Sequence, residues 1–219
     1  MNEFSTYFKY CSDNSVVLSG IFKNHKIRFT QPWGMNDPLE FNPTIKFQNF
    51  QSVYQHYELD EIVLPSIELF CRTQIIESQV NFFGILSLAK TPFSFDMWSK
   101  YANGHKGFVL EFKEGFEQHP CMKSRNGNIN PIKKVEYVDD YSVNLEDLLN
   151  NNGSILSSVL RDELFFKKTS RWKNENEHRL VRPLLDSPDY SPPKANTSYR
   201  DDKVYLFDFS IECVSAITF

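Results

Sequence analysis

The sequence predicts an α+β fold of small mixed and antiparallel sheets with flanking helices, in one domain over residues 1–219. Two observations carry this. Strand-like and helix-like segments follow one another in irregular order, without the repeated strand–helix–strand unit of a doubly wound sheet. The chain also holds 20 Phe and 10 Tyr, side chains that suit pleated, half-buried strand surfaces. Its 219 residues are the usual size of one domain, and a hydrophobic content of 41% is enough for a core.

The elements follow in order. Tyr7 to Tyr10 is an aromatic strand. Ser12 to Asn14 carry capping side chains, so a short helix is expected over Ser15 to Lys23. Lys26 to Thr30 alternates as a strand, and Gln31 to Pro38, with two prolines and Gly34, is a loop. Lys46 to Glu77 has apolar residues at mostly helical spacing and is expected to be helical, broken near Pro65. Asn81 to Leu88 is an apolar run of strand length, Phe95 to Tyr101 a short helical turn, and Gly107 to Phe112 an alternating strand. Glu114 to Asn130 reads as a polar excursion, and Ile132 to Val138 as one strand. Leu145 to Phe166 carries the helical period over the longest stretch. Glu177 to Pro183 alternates, Ser187 to Asp201 is a Pro-, Ser- and Asn-rich loop, and Val204 to Phe207 and Val214 to Phe219 are strands. Because the chain stops inside that last apolar run, a truncated C-terminus is expected.

A net charge of -4 argues against a surface coated in positive charge for indiscriminate nucleic-acid binding. Cys11, Cys71, Cys121 and Cys213 form no CxxC pair, and no histidine stands at ligand spacing from them, so reduced thiols and no metal are expected. Met1 to Lys9 lacks the apolar stretch of a secretory signal. No segment approaches the roughly 20 apolar residues of a membrane span. A cytoplasmic location without membrane contact is the resulting expectation.

Four segments, in one order and covering most of the chain, carry a family likeness. They are Tyr7-Phe8-Lys9-Tyr10, the run Ile27 to Glu40 (IRFTQPWGMNDPLE), Met97 to Phe112 (MWSKYANGHKGFVLEF), and Lys168 to Arg179 (KTSRWKNENEHR). Together they resemble the bacterial domain of unknown function 2971. This chain departs from that pattern at Lys100, where His is usual, at Met35, where Phe is usual, and at Thr30-Gln31, where Ser-Ser is usual.

That family name carries no activity. At the level of fold, the layout also resembles the ADP-ribosyltransferase superfamily, in particular the DarT-like toxins that modify DNA. This second resemblance implies a basic residue on the opening strand (Lys9), a strand at Lys26 to Thr30, and a catalytic glutamate (Glu177) after a Trp-containing loop (Trp172). It implies NAD as substrate and a macromolecular acceptor, either a single-stranded nucleic acid or a protein. It further implies a toxin or phage-defence effector, with an antitoxin or regulatory protein as a partner.

The chemistry fits these residue types. Breaking the nicotinamide–ribose bond passes through an oxocarbenium-like state, which a nearby carboxylate stabilises electrostatically. If Glu175-Asn176-Glu177 is extended, both carboxylates share one face. Glu177 is then the main catalytic group, and Glu175 orients the nucleophile. Lys9, Tyr10, Thr30, Asn36, Asp37, Trp172 and Arg179 are assigned to NAD. Trp98, Tyr101, His105, Lys168 and Arg171 are assigned to the pocket or acceptor. Lysines and arginines interleaved with Phe165, Phe166 and Trp172 suit phosphate contact with base stacking.

Plainer roles stand beside these. Glu175, Glu177 and Arg179 can form an ion-paired strand face, and Lys9 can be an exposed lysine of an edge strand. Asn36-Asp37-Pro38 is a turn signature, and a lone histidine such as His105 is commonly structural. The competing functions are an NAD glycohydrolase and a non-catalytic ligand- or partner-binding module.

Overall fold

The computed structural model describes residues 6–37, 39–46, 69, 72, 76, 80–144, 158–190 and 204–219. It is a mixed α and β fold with small sheets and few helices among these residues. β1 (Tyr7–Cys11) leads through an Asn14 cap into α1 (Ser15–Leu18). The Asn14 side chain accepts from the Val17 amide, as the capping residues predict, and the last turn then widens over Ser19–Lys23. β2 (Lys26–Arg28), β3 (Thr44–Lys46) and β4 (Phe83–Leu88) follow. The helix expected from Lys46 to Glu77, with its break at Pro65, falls almost wholly outside the described residues.

α2 (Phe95–Tyr101) begins at Ser94, whose side chain accepts from the Met97 amide. β5 (Phe108–Phe112) comes next, entered through Gly107. A β-carbon at Gly107 would stand 2.1 Å from the Cys11 carbonyl oxygen and 2.9 Å from the Ala102 Cα. Only glycine lets these chains approach so closely.

The segment read as a polar excursion is partly core. Its two short 3₁₀ turns (Phe116–Gln118 and Pro120–Met122) bury Phe116 and Met122. The single strand expected at Ile132 to Val138 is two, β6 (Lys133–Lys134) and β7 (Glu136–Val138). Between them Val135 is buried and donates its amide to the Glu177 carbonyl, while Glu136 donates to Phe166. The chain thus changes partner from one sheet to another within one residue.

β8 (Ser142–Asn144), α3 (Ser158–Phe165), β9 (Lys167–Thr169), β10 (His178–Pro183), β11 (Leu206–Asp208) and β12 (Val214–Thr218) complete the order. Of the long helix expected from Leu145, only α3 is described. The loop expected at Ser187 to Asp201 is described as far as Tyr190.

β5 sits between β1 and β12, both antiparallel to it, and β10 sits between β4 and β6 in a second antiparallel sheet. β2 pairs with β11 antiparallel, while β3–β8 and β7–β9 are short parallel pairs. The two larger sheets meet where Phe8 bridges Ala89, and Thr30 bridges Ile85 beside them. β1 is therefore covered on both sides, so Lys9 is not on a free edge.

The phenylalanines make the core. Phe29, Phe108, Phe112, Phe207 and Phe209 pack in one cluster with Leu86, Leu110 and Leu180. Phe112 stacks on Phe116 with centroids 4.2 Å apart, and Phe29 meets Phe207 at 4.5 Å. Each buried ring contributes about 2–3 kcal/mol by transfer from water, and the offset and edge contacts add to this.

Candidate functional site

A pocket of about 760 Å³, counting its open mouth, lies at the junction of the two larger sheets. β1 supplies Phe8, Lys9 and Tyr10; the end of β2 and the following loop supply Arg28, Thr30, Gly34, Met35 and Asn36. β4 contributes Ser87, and α2 contributes Met97 and Tyr101. Glu40, Lys168, Glu175 and Glu177 form the acidic end.

That end is a buried ionic network. The Lys168 ammonium donates to Glu175 Oε2 at 2.9 Å and to Glu177 Oε2 at 3.1 Å, and lies 3.7 Å from Glu40. Arg179, fully buried, donates from Nε to Glu177 Oε1 at 2.8 Å and from NH2 to Glu177 Oε2 at 3.0 Å. It also donates to Glu40 and, at 2.7 Å, to the Phe165 carbonyl. Tyr101 donates its hydroxyl to Glu175 Oε1 at 2.8 Å. Lys100, exposed, approaches Glu175 Oε1 at 4.0 Å, so three carboxylates face three cations here.

Burial raises Glu177 above the ordinary carboxylate value, against the pull of Lys168. Burial pulls Lys168 down, yet Glu177 and Glu175 more than offset it and leave the ammonium firmly protonated. Burial lowers Arg179 to about 9, so it keeps its charge at neutral pH.

The other end of the pocket is basic. Lys9 is half-buried, and burial lowers its pKa; Arg28 adds repulsion, while Cys11 and Glu177 pull in the opposite direction. Arg28 is lowered by burial as well, while keeping solvent contact at the mouth. Among the described residues neither meets a carboxylate within ion-pair distance. An anion placed between them would recover part of the solvation they have lost.

Of the sequence-assigned residues, Lys9, Tyr10, Thr30, Asn36, Tyr101, Lys168, Glu175 and Glu177 line this pocket. Arg179 lies beneath it, as a buried clamp on Glu177 and Glu40 and not as a phosphate ligand. Asp37 is buried and tied to Thr169, Arg171 and the Leu39 amide, which makes it a shaping residue. Arg171 is spent on Asp37, with its side chain 56% exposed. Trp172 flanks the network, with Lys100 and Lys168 over its ring at 4.7 and 4.9 Å. Trp98 supports Tyr10 edge-on and donates its Nε1 to the Pro92 carbonyl. His105 sits outside the lining, exposed at φ 67 in the turn before Gly107, with its ring tilted 43° against Phe95.

Two expectations are corrected. Glu175-Asn176-Glu177 is not extended: Glu175 ends a 3₁₀ helix (Ser170–Glu175), and Asn176 is left-handed at φ 41. The two carboxylates converge because Lys168 draws both onto one ammonium, not because a strand aligns them. Nor are the cysteines remote from histidine. His119 Nδ1 lies 3.0 Å from Cys121 Sγ, which is 3.9 Å from Cys213 Sγ.

Arg28, Glu40 and Ser87 were missed by sequence reasoning. The sequence places Arg28 only within the Lys26 to Thr30 strand and Glu40 only at the end of the Ile27 to Glu40 run. The Glu40 amide donates to the Asp37 carbonyl at 3.0 Å, and its carboxylate accepts from Arg179.

Residues 97–180 match the model of a family described as protein of unknown function, DUF2971. The matched segment runs from α2 into β10, and so holds Tyr101, Lys168, Glu175, Glu177 and Arg179, the acidic end of the pocket apart from Glu40. The basic end, from β1 and β2, lies outside the match. No curated protein and no solved structure matches the chain. Among the described residues, no helix is long and apolar enough to cross a membrane.

Proposed function

We propose that this chain is an NAD-dependent ADP-ribosyltransferase-like protein whose active site is the two-ended pocket. One observation carries the reading: the same cavity has three buried carboxylates at one end and, at the other, two cations that meet no carboxylate within ion-pair distance among the described residues. NAD has the complementary chemistry, with a cationic nicotinamide ring, ribose hydroxyls and an anionic diphosphate. In this reading Lys9 and Arg28 take the diphosphate, and Tyr10 and Tyr101 offer aromatic surface. The carboxylates stabilise the positive charge that grows on the ribose as the bond to nicotinamide breaks.

The bonding divides the work between the two glutamates. A carboxylate offers about four acceptor sites. Glu177 spends its own on Lys168, Arg179 and Ser87. Glu175 accepts only from Tyr101 and Lys168 among the hydrogen bonds described, and so keeps capacity for a ribose hydroxyl. Glu177 then fixes the field of the site, and Glu175 grips the substrate. The acceptor is a macromolecule, a single-stranded nucleic acid or a protein, and the cellular setting is a toxin or phage-defence effector with a controlling antitoxin.

The saturation of Glu177 also favours a second reading, a binding module that holds an anionic ligand without turning it over. Labelled NAD incubated with a cell lysate and wild-type protein, Glu175→Gln or Glu177→Gln separates them. Label on one macromolecular class that disappears in both variants supports the transferase. Free ADP-ribose alone indicates a glycohydrolase. No NAD consumption by folded protein overturns both enzymatic readings.

A further inference from the structure

Away from the pocket, His119, Cys121 and Cys213 bring three ligand-type atoms within 4.8 Å of one another. We propose that they form a zinc site, with His119 Nδ1, Cys121 Sγ and Cys213 Sγ as ligands and solvent in the fourth position.

The donor set is two thiols and an imidazole, the combination that suits zinc. Around a tetrahedral zinc with Zn–S bonds of about 2.3 Å, two sulfurs stand about 3.8 Å apart. The Cys121–Cys213 separation is 3.9 Å. The 3.0 Å between Nδ1 and Cys121 Sγ opens by roughly half an ångström to admit the ion, a small rotation of a ring that is part exposed.

The histidine is already set in the required tautomer. The Cys121 amide donates to Nδ1 at 3.3 Å, which leaves the lone pair on Nδ1, and binding the ion would exchange this hydrogen bond for the metal bond. Nε2 faces the Glu212 carboxylate at 3.6 Å, the carboxylate–histidine arrangement that supports metal-bound imidazoles. Both ligand-bearing turns are held by backbone contacts. Pro120 opens the short turn that carries Cys121, and Arg182 donates to the Cys121 and Lys123 carbonyls at 2.9 and 2.6 Å. The Lys113 amide fixes the Cys213 carbonyl at 2.8 Å. Zinc here would fasten the 116–122 segment to the start of β12, a link between residues 92 positions apart. None of these residues lines the pocket, so the site stands whatever the fate of the NAD reading.

The test uses the full chain, reduced and stripped of metal, titrated with Zn²⁺ against a chromophoric chelator and with Co²⁺ while thiolate-to-cobalt absorption is followed. One equivalent is expected, with the thiolate band present. Cys121→Ser, Cys213→Ser and the part-exposed His119→Gln each weaken binding by at least about 100-fold, the upper end of what losing a supporting residue costs, and Glu212→Gln weakens it about 10-fold. Cys11→Ser leaves it unchanged. Circular dichroism establishes that each variant is folded. Absence of binding by the wild type, retention of affinity in Cys121→Ser, or a Cys121–Cys213 disulfide in freshly purified protein in place of metal overturns the proposal.

Discussion

Replacing Arg179 with methionine keeps the volume of the buried side chain and removes its charge. Glu177 then loses two bonds from the guanidinium, at 2.8 and 3.0 Å, and Glu40 loses its closest cation. Breaking a buried ion pair by removing one partner costs about 3–5 kcal/mol. A carboxylate can limit that cost by taking up a proton. From an ordinary value of 4.5, protonation costs about 3.4 kcal/mol near pH 7 but only about 0.7 kcal/mol near pH 5. Arg179→Met is therefore expected to lose about 3–5 kcal/mol of stability near pH 7 and roughly 2–3 kcal/mol less than that near pH 5. Equilibrium urea unfolding at the two pH values, with the slope m checked for constancy, measures both. A loss under about 1 kcal/mol near pH 7, or an equal loss at both pH values, would refute the reasoning that this buried network is held by Arg179.

Three further outcomes follow from the same contacts. Because burial raises the folded pKa of Glu177 above its unfolded value, its contribution is present at acid pH and lost as pH rises from about 4.5 through the folded value. This component of wild-type stability falls across that window, and Glu177→Gln removes it, as the difference between the two pH profiles in urea unfolding will report. Gly107→Ala, with its new β-carbon 2.1 Å from the Cys11 carbonyl oxygen, costs about 3 kcal/mol. Gly104→Ala has open space around it and only φ +61 to strain, so it costs about 1 kcal/mol; thermal melts of the pair test the contrast. Tyr101→Phe removes the 2.8 Å hydrogen bond to Glu175 and costs about 1.5 kcal/mol, measurable by urea unfolding.

The strands were legible where apolar and polar residues alternate against a half-buried surface. Gly107 to Phe112 and Glu177 to Pro183 fall within a residue of β5 and β10, and the Phe95 to Tyr101 turn coincides with α2. Alternation is blind to a change of partner, so Ile132 to Val138 read as one strand although Val135 switches it between sheets. It is equally blind to a single left-handed residue, and Asn176 alone redirects Glu175 away from the strand. The glutamates, Lys168 and Tyr101 were named from motif and resemblance. Their convergence could not be seen, because it depends on a buried ammonium that no local pattern marks. Glu40 was hidden because a buried carboxylate has no sequence signature apart from its partner, which lies 139 residues away. Cys213 was likewise out of reach, 92 residues from Cys121.

The most direct test of the two-ended pocket is NAD binding by calorimetry, to the wild type and to Lys9→Ala with Arg28→Ala. Charge-assisted bonds to the diphosphate of about 1.5–3 kcal/mol correspond to roughly 10- to 100-fold in affinity for each cation lost. Saturable binding in the wild type, weakened by at least about 100-fold in the double variant, is the expected result. No binding by folded wild-type protein, or binding that the two substitutions leave unchanged, would contradict the assignment of this pocket to NAD.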